Sequence, residues 1–500
     1  MNYSANLYQA RPSIKRPVII LMLLFILIST LNFGQSPTAN HWFMGNGTHL
    51  DFNDGSLNVD TLSPLFCYEG TFTMSDDSGD ILFVSMGLPN TPIYSNVYDA
   101  NLNIMPNGDS LFASSSAIQA SISVQVPGSN SQYYLFNNSS EETQYVEGIT
   151  YSIIDMSLNN GLGDVDVLNK NILLPQDPET SNSEAMTIAR HCNGVDYWLI
   201  TEKVICDDFP YECYPNNSFQ IYSITESGVA YESEYQGTGW CCGQMKFNSL
   251  GNKMYYGNIL YDFDNETGQF SNPIDLNVAI NTQTSLGMAS FSQSGDKLYI
   301  KEVWGDLFQF DLTLQNFQNS PISISLDWPT AWSKPNGPMQ LAPNGKIYLA
   351  WSDAQYATPW KFLGVINEPE SIGTSCDVVL DAIPVMGYSN NQVLQSIPSF
   401  VESDLSSTGV VSGCMTSVSD LQDNFLVIYP NPVFDIIHID GIDKHDLVGI
   451  SIVDNLGRLY FENTDKPPLR LNVSDLKSGY YIVQLRLESG QIVKRSVVKY

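Results

Sequence analysis

The chain is expected to be all-β: a β-propeller, with seven blades the favoured count and six or eight open, followed by a small Ig-like β-sandwich. Three observations point there. Charged residues make up 15% of the 500 positions and aromatic residues 12%, a balance that favours strands and polar turns over helices. A hairpin pattern recurs through the middle of the chain. A second run of short alternating strands fills the C-terminal end.

The hairpin pattern is clearest at Met288–Lys301. Ala289 and Phe291 alternate into the turn Ser292–Gly295, and Leu298 and Ile300 alternate out of it. Copies lie at Lys246–Tyr256 and Gln340–Tyr348, with a looser one at Phe72–Phe83. Inner strands start near Thr71, Ser121, Thr187, Met245, Ala289 and Met339, and most are followed by an outer hairpin such as Ile259–Phe270. Two hairpins make a four-stranded unit with a period of roughly 45–65 residues, which suits a propeller blade. Gln395–Val401 reads as one more strand, expected to pair with residues 41–52 as a seventh blade and so close the ring and remove its exposed edges. A tandem of β-sandwiches is the alternative.

The N-terminus has a basic region ending at Arg16-Pro17 and then an apolar run, Val18–Leu31. That run is about fourteen residues, short of the roughly 20 that span a bilayer as a helix. Residues 1–34 are therefore expected to be a secretory signal peptide, leaving no transmembrane span in the mature form. The propeller is assigned to 36–402, a Ser/Thr/Gly/Asp linker to 403–423 and the second domain to 424–500.

The net charge of −31 is unevenly placed. Residues 424–500 hold nine bases and nine acids, whereas the stretch between signal and tail holds 44 acids against 10 bases. Such a surface repels phosphate backbones, so nucleic acid is excluded as a partner. The eight cysteines all follow the signal, and an even count in an exported chain permits disulfides. Cys206 and Cys213 flank a loop-like insert and are the expected pair. No Cys-x-x-Cys occurs, so neither a zinc ribbon nor a redox motif is supported.

Catalytic signatures are scarce: there is no Gly-x-Ser-x-Gly elbow and no His-Glu-x-x-His. Glu69, Glu147 and Glu184 recur just before inner strands, where they would ring one mouth of a propeller with carboxylates or cap backbone N–H groups. His191 follows an inner strand and is a ligand candidate or a turn histidine. Trp304 and Trp332 lie near strand ends, where an indole stacks on a sugar ring or packs between blades. Asp262, Asp264 and Glu266 place oxygen atoms at alternate positions in the style of a calcium loop, and also in the style of a hairpin turn. No cofactor is expected; calcium is the one ion this pattern admits.

The C-terminal motifs are more specific. Tyr429-Pro430-Asn431-Pro432 is followed by Val448–Arg458 with Gly457, then Leu471–Ile482 with Gly479-Tyr480, and Lys494-Arg495 precede the terminal strand. This combination resembles the type A C-terminal sorting domain of the type IX (Por) secretion system of Bacteroidetes. The resemblance implies Sec-dependent entry to the periplasm, export by the type IX machinery, removal of the domain, and release or surface attachment. The middle region is similar to secreted propellers that precede such domains, on Tyr68–Asp76, Met105–Gly108, Arg190–Trp198 and Gln340–Tyr348. That likeness implies fold and export rather than a reaction. The expected function is therefore an exported propeller that binds a glycan or protein at the cell surface. The alternative is an exported hydrolase or lyase with acids on the propeller face.

Overall fold

The structure is a computed structural model. It describes residues 37–500 apart from short segments, the longest being 139–147, 277–286, 387–396, 407–413 and 415–426. The signal peptide expected at 1–34 lies outside the described residues. Among those described, no helix is long and apolar enough to cross a membrane. The chain divides into two units, 1–413 and 414–500.

Seven antiparallel sheets follow one another in the first unit among the described residues. The first has three strands, His41–Met44, Thr48–Asp51 and Asn58–Asp60. The next six begin with Thr71–Ser75, Ser121–Gln125, Thr180–Arg190, Lys246–Phe247, Met288–Phe291 and Met339–Leu341. In each, the strands pair with their neighbours in chain order, apart from short extra strands on the third and seventh sheets. First strands such as Thr71–Ser75 and Met288–Phe291 are buried throughout, while last strands such as Asn58–Asp60 and Gln269–Asp275 face water. Neighbouring sheets meet through their first strands. The circle closes where Tyr348 of the seventh sheet packs against Trp42 and Phe52 of the first, at ring-centroid distances of 5.5 and 5.7 Å. This is a β-propeller.

One turn builds most of the inner hairpins. In Asp76–Gly79, Asn248–Gly251, Ser292–Gly295 and Ala342–Gly345 the glycine N–H donates to the carbonyl of the first residue at 2.9 Å. Each glycine has φ between 65° and 85°, the left-handed region that a Cβ disfavours. His191–Gly194 makes the same bond at 2.9 Å, so the fourth sheet shares the turn.

The tail of this unit departs from expectation. Ile397–Val401 forms no strand and does not pair with 41–52; Ser399 N–H donates instead to Thr71 O at 3.4 Å. Pro398 has no N–H to give a ladder, which disfavours a strand here. Phe400 inserts between Trp42 and Phe72, 5.9 and 5.8 Å between centroids. The chain continues into a helical turn, Glu402–Leu405. Ser403, Leu405 and Ser406, expected to open a linker, are buried in this unit, with Leu405 wholly enclosed. The physical reason is polar pairing. Lys246 Nζ donates to Glu402 Oε1 at 2.7 Å, Arg190 pairs with Asp404 at 2.8 Å, and Gln293 Nε2 donates to Leu405 O at 3.2 Å. Gln340 Nε2 donates to Glu402 Oε1 at 3.1 Å. Residues 397–405 thus touch six of the seven sheets.

The second unit has a three-stranded sheet (Val427–Tyr429, Ile436–Asp440, Arg470–Asn472) and a four-stranded one (Leu459–Asn463, Leu447–Asp454, Gly479–Leu487, Ile492–Lys499). Alternation along these strands buries Ile437, Ile439, Ile450, Ile452, Val483, Leu485 and Val497 in one core. Val433 N–H donates to Val498 O and Tyr500 N–H to Val433 O, at 2.7 and 3.0 Å, which ties the terminal strand to the Pro-Asn-Pro segment.

Candidate functional site

Where the hairpin turns of the second, third and fourth sheets converge, they enclose a cleft of about 610 Å³. Its walls are polar: Ser75–Ser78 from the second sheet, and Ser123, Gln125, Asn130 and Ser131 from the third. Tyr133, Tyr197, Arg190 and Asp404 also line it, together with Thr38, Ser157 and the apolar Met74, Leu82, Val124 and Met156. The second-sheet turn is held from within, since Asp76 Oδ1 accepts the N–H groups of Ser78 and Asp80 at 2.8 and 3.0 Å. That leaves Asp77 exposed at the tip. On the third sheet, Ser131 Oγ and Gln132 Nε2 donate to Asp155 at 3.2 and 3.1 Å.

The fourth-sheet side carries the cation. The Arg190 guanidinium lies 4.9 Å over the Tyr197 ring, bonds Asp404 at 2.8 Å and donates to Gly194 O at 3.1 Å. Burial works against its charge, but Asp404 and Tyr197 raise the Arg190 pKa above its ordinary value. Burial and the nearby Asp404 carboxylate push the Tyr197 phenol up to about 12. Burial, with Asp77 and Asp76 adding to it, also raises Tyr133. Both phenols therefore keep their protons at neutral pH and can donate. Among the described residues, the lining includes no histidine, cysteine, glutamate or lysine. Two of its three acids are occupied, Asp76 by its turn and Asp404 by Arg190. The arrangement suits hydrogen bonding and ring stacking better than proton transfer, which needs a free acid and base.

Among the described residues, those singled out in the sequence do not gather into one site. Glu69 is buried beside Gly70, whose N–H donates to Ala117 O at 3.0 Å. A Cβ at Gly70 would lie 2.6 Å from Ala117 O, so only glycine fits. Glu184 Oε2 accepts the Ile118 N–H at 3.4 Å. Both acids thus flank one segment, 117–120, and Glu184 caps it. Two glutamines, missed in the sequence, hold the corresponding place before other inner strands. Gln119 bonds the N–H and C=O of Met245 at 2.9 and 3.1 Å, and Gln244 bonds those of Met339 at 2.9 and 3.2 Å. Each amide reaches two sheets onward and imitates a backbone ladder. The signal was present in the shared pre-strand position. Glu147, Trp304 and Trp332 lie outside the described residues.

His191 opens the fourth-sheet turn. Its Nδ1 accepts the Asn193 N–H at 3.0 Å, so Nε2 carries the proton and donates to Glu266 O at 3.2 Å. It lies seven residues along the strand from Glu184, about 20 Å away. In the candidate calcium loop, Asp262 bonds Lys253 at 2.6 Å and Asn272 at 2.9 Å. Asp264 accepts from Glu266 N–H at 3.0 Å and Thr267 Oγ1 at 2.8 Å. These carboxylates serve a hairpin. Backbone register places Cys206 opposite Cys213, although their side chains are outside the described residues. Cys192 is disulfide-bonded, while Cys67 and Cys376 are buried thiols. In the second unit Pro430 and Pro432 are exposed, and Gly479 opens its strand. Arg495 stands opposite Val483 and Lys494 opposite Gln484. Tyr480 pairs with Val498, and Asn431 and Gly457 lie outside the described residues.

Residues 427–499 match the family described as the secretion system C-terminal sorting domain. Fold and tail together define the class: a β-propeller protein carrying a type IX sorting signal, and hence one exported by that machinery. No curated protein matches the chain. Among solved structures, Chaetomium thermophilum Sqt1 bound to the N-terminus of ribosomal protein L10 is similar at TM-score 0.40 and 10% identity, over 83% of this chain and 93% of that one. The propeller domain of Cps50 (Swd1) from Myceliophteria thermophila gives 0.34 and 9%, over 63% and 94%. Raptor of Chaetomium thermophilum gives 0.33 and 9%, over 76% of this chain, which spans only 28% of Raptor.

Proposed function

We propose that the propeller is a non-catalytic binding module, delivered outside a Bacteroidetes cell, and that the cleft of sheets two to four takes a polyhydroxylated ligand, a glycan. The cleft carries this reading: protonated phenols and a fixed guanidinium stand among hydroxyl and amide side chains, in a volume within the range of ordinary ligand sites. Sugars present flat apolar faces to rings and a fringe of hydroxyls to polar groups. Glu69 and Glu184, the acids a hydrolase or lyase was expected to use, flank one structural segment instead, Glu184 as its cap.

The test is a glycan array probed with the secreted protein, followed by calorimetry on any hit. Tyr133→Ala is expected to weaken binding by about two- to tenfold, since one aromatic contact is worth roughly 0.5–1.5 kcal/mol. Glu69→Gln should leave it unchanged. An array with no hit, or a hit insensitive to Tyr133, would sink the reading. For delivery, a chain ending at residue 423 should stay inside a host that has the type IX machinery, whereas the full chain reaches the medium or the cell surface. Equal export of both would refute that half.

A further inference from the structure

The cleft between the hairpin turns of sheets two to four holds more negative charge than positive. Asp76, Asp77 and Asp404 line it against one guanidinium, that of Arg190. Arg190 is already committed. It bonds Asp404 at 2.8 Å, donates to Gly194 O at 3.1 Å and lies 4.9 Å over the Tyr197 ring. Asp76 is occupied too, capping the N–H groups of Ser78 and Asp80 at 2.8 and 3.0 Å. Asp77, one residue on, is exposed at the tip of the turn, and its carboxylate pairs with no described residue. We propose that the cleft selects, among glycans, those bearing protonated amino groups, with Asp77 as the counter-charge and Tyr133 as the ring on which the amino sugar rests. The proposal rests on the glycan reading of the same cleft.

A second observation marks a place for a ligand atom. Ser75 lines the cleft, is 1% exposed, and its Oγ has no hydrogen-bond partner among the described residues. Buried hydroxyls are ordinarily paired, so this one fits a polar atom supplied from outside the chain. The ring is prepared as well. Phe83 packs against Tyr133 in a T-shaped contact, with centroids 5.6 Å apart, and holds it in place.

The field at that ring favours a cation. Burial first, and then Asp77 and Asp76, raise the Tyr133 pKa, so both turn carboxylates act on its phenol. An ammonium is drawn to the electron-rich face of such a ring as well as to the carboxylates. A uronate or a sulfated sugar meets the same field with the opposite sign. The surrounding unit reinforces it, with 44 acids against 10 bases between signal and tail. A bare metal ion is a poorer fit, because it needs several oxygen ligands converging on one point and only Asp77 is uncommitted. One carboxylate beside a ring suits an ammonium carried on a larger body, whose hydroxyls reach Ser75.

The experiment titrates the full chain by calorimetry at pH 5.5 with four probes: a glucosamine tetramer, the same tetramer N-acetylated, tetragalacturonate and tetralysine. The glucosamine tetramer should bind at one per chain and about fivefold tighter than its acetylated twin, the upper worth of one exposed ion pair. Tetragalacturonate should not bind. Tetralysine, which has the charge without the sugar, should bind more weakly than the glucosamine tetramer. Asp77→Asn should erase the preference for the free amine, and so should about 0.5 M salt. Asp296→Asn, which removes an exposed acid outside the lining, should keep it. The proposal is overturned if the glucosamine tetramer fails to bind or binds no tighter than the acetylated one, if the uronate binds, or if tetralysine binds as tightly. It is equally overturned if the preference persists in Asp77→Asn or is lost in Asp296→Asn. The glycan reading outlives each of these results as long as some oligosaccharide still binds in a manner sensitive to Tyr133→Ala.

Discussion

Lys246 and Glu402 offer the sharpest test of how this ring is held. Their side chains are 2% and 3% exposed, 2.7 Å apart, and 156 positions separate them in sequence. Lys246→Met leaves the Glu402 carboxylate buried with only the Gln340 amide for company. Breaking a buried pair in this way costs about 3–5 kcal/mol, most of it the uncompensated charge. Unfolding entropy is about 2.1 cal/mol/K per residue, or roughly 0.8 kcal/mol/K for the ring, so the melting temperature should fall by about 4–6 °C. Replacing both residues by methionine removes the stranded charge and should recover most of the loss. Gln340 keeps an acceptor in that variant, because its Nε2 also donates to Leu341 O at 2.9 Å. The assay is thermal and urea unfolding, followed by circular dichroism, of the parent, both single variants and the double. A single-variant loss under about 1 kcal/mol, the worth of an exposed pair, would refute the reasoning. So would a double variant that loses the sum of the singles.

Four further outcomes follow from the same contacts. A chain ending at Ser406 should keep the melting transition of the propeller, and one ending at Ser396 should not fold; equal melting would deny the tail its role. Lys301 is wholly enclosed and donates to Gly337 O and Ala350 O at 2.5 and 2.9 Å, and burial lowers its pKa well below the usual lysine value. The unfolded chain therefore binds more protons below about pH 10.5, so stability should rise between pH 8 and 10, and Lys301→Met should flatten that slope. Non-reducing peptide mapping should return a Cys206–Cys213 crosslink, while Cys67 and Cys376 alkylate once the chain is unfolded. Millimolar calcium should leave the melting temperature unchanged, since Asp262 already has Lys253; a clear rise would restore the calcium loop.

What could be read in advance, and what could not, divides along physical lines. The inner hairpins were legible because their turn needs glycine at a fixed fourth position, a local demand that writes itself into Asp76–Gly79, Asn248–Gly251 and Ser292–Gly295 alike. The C-terminal strands were legible through alternation. The cleft was not, because Arg190 meets Asp404 across 214 positions and no periodicity links them. Gln119 and Gln244 escaped notice for a different reason: glutamine carries no charge, so attention fell on Glu69 and Glu184 at the matching place. Gln395–Val401 alternates like a strand in sequence, yet Ile397–Val401 forms none, because Pro398 and the pairing of Glu402 decide its course.

The course of residues 397–405 also bears on when this molecule can become itself. Ribosomes deliver the amino end first, and every sheet but one waits on contacts from a segment made near the end of the propeller. Until that segment arrives, Lys246 and Arg190 have no counter-charges and Trp42 and Phe72 have a vacancy between them. A chain stopped short of residue 397 lacks every one of these contacts, so the ring is expected to lock only late in synthesis.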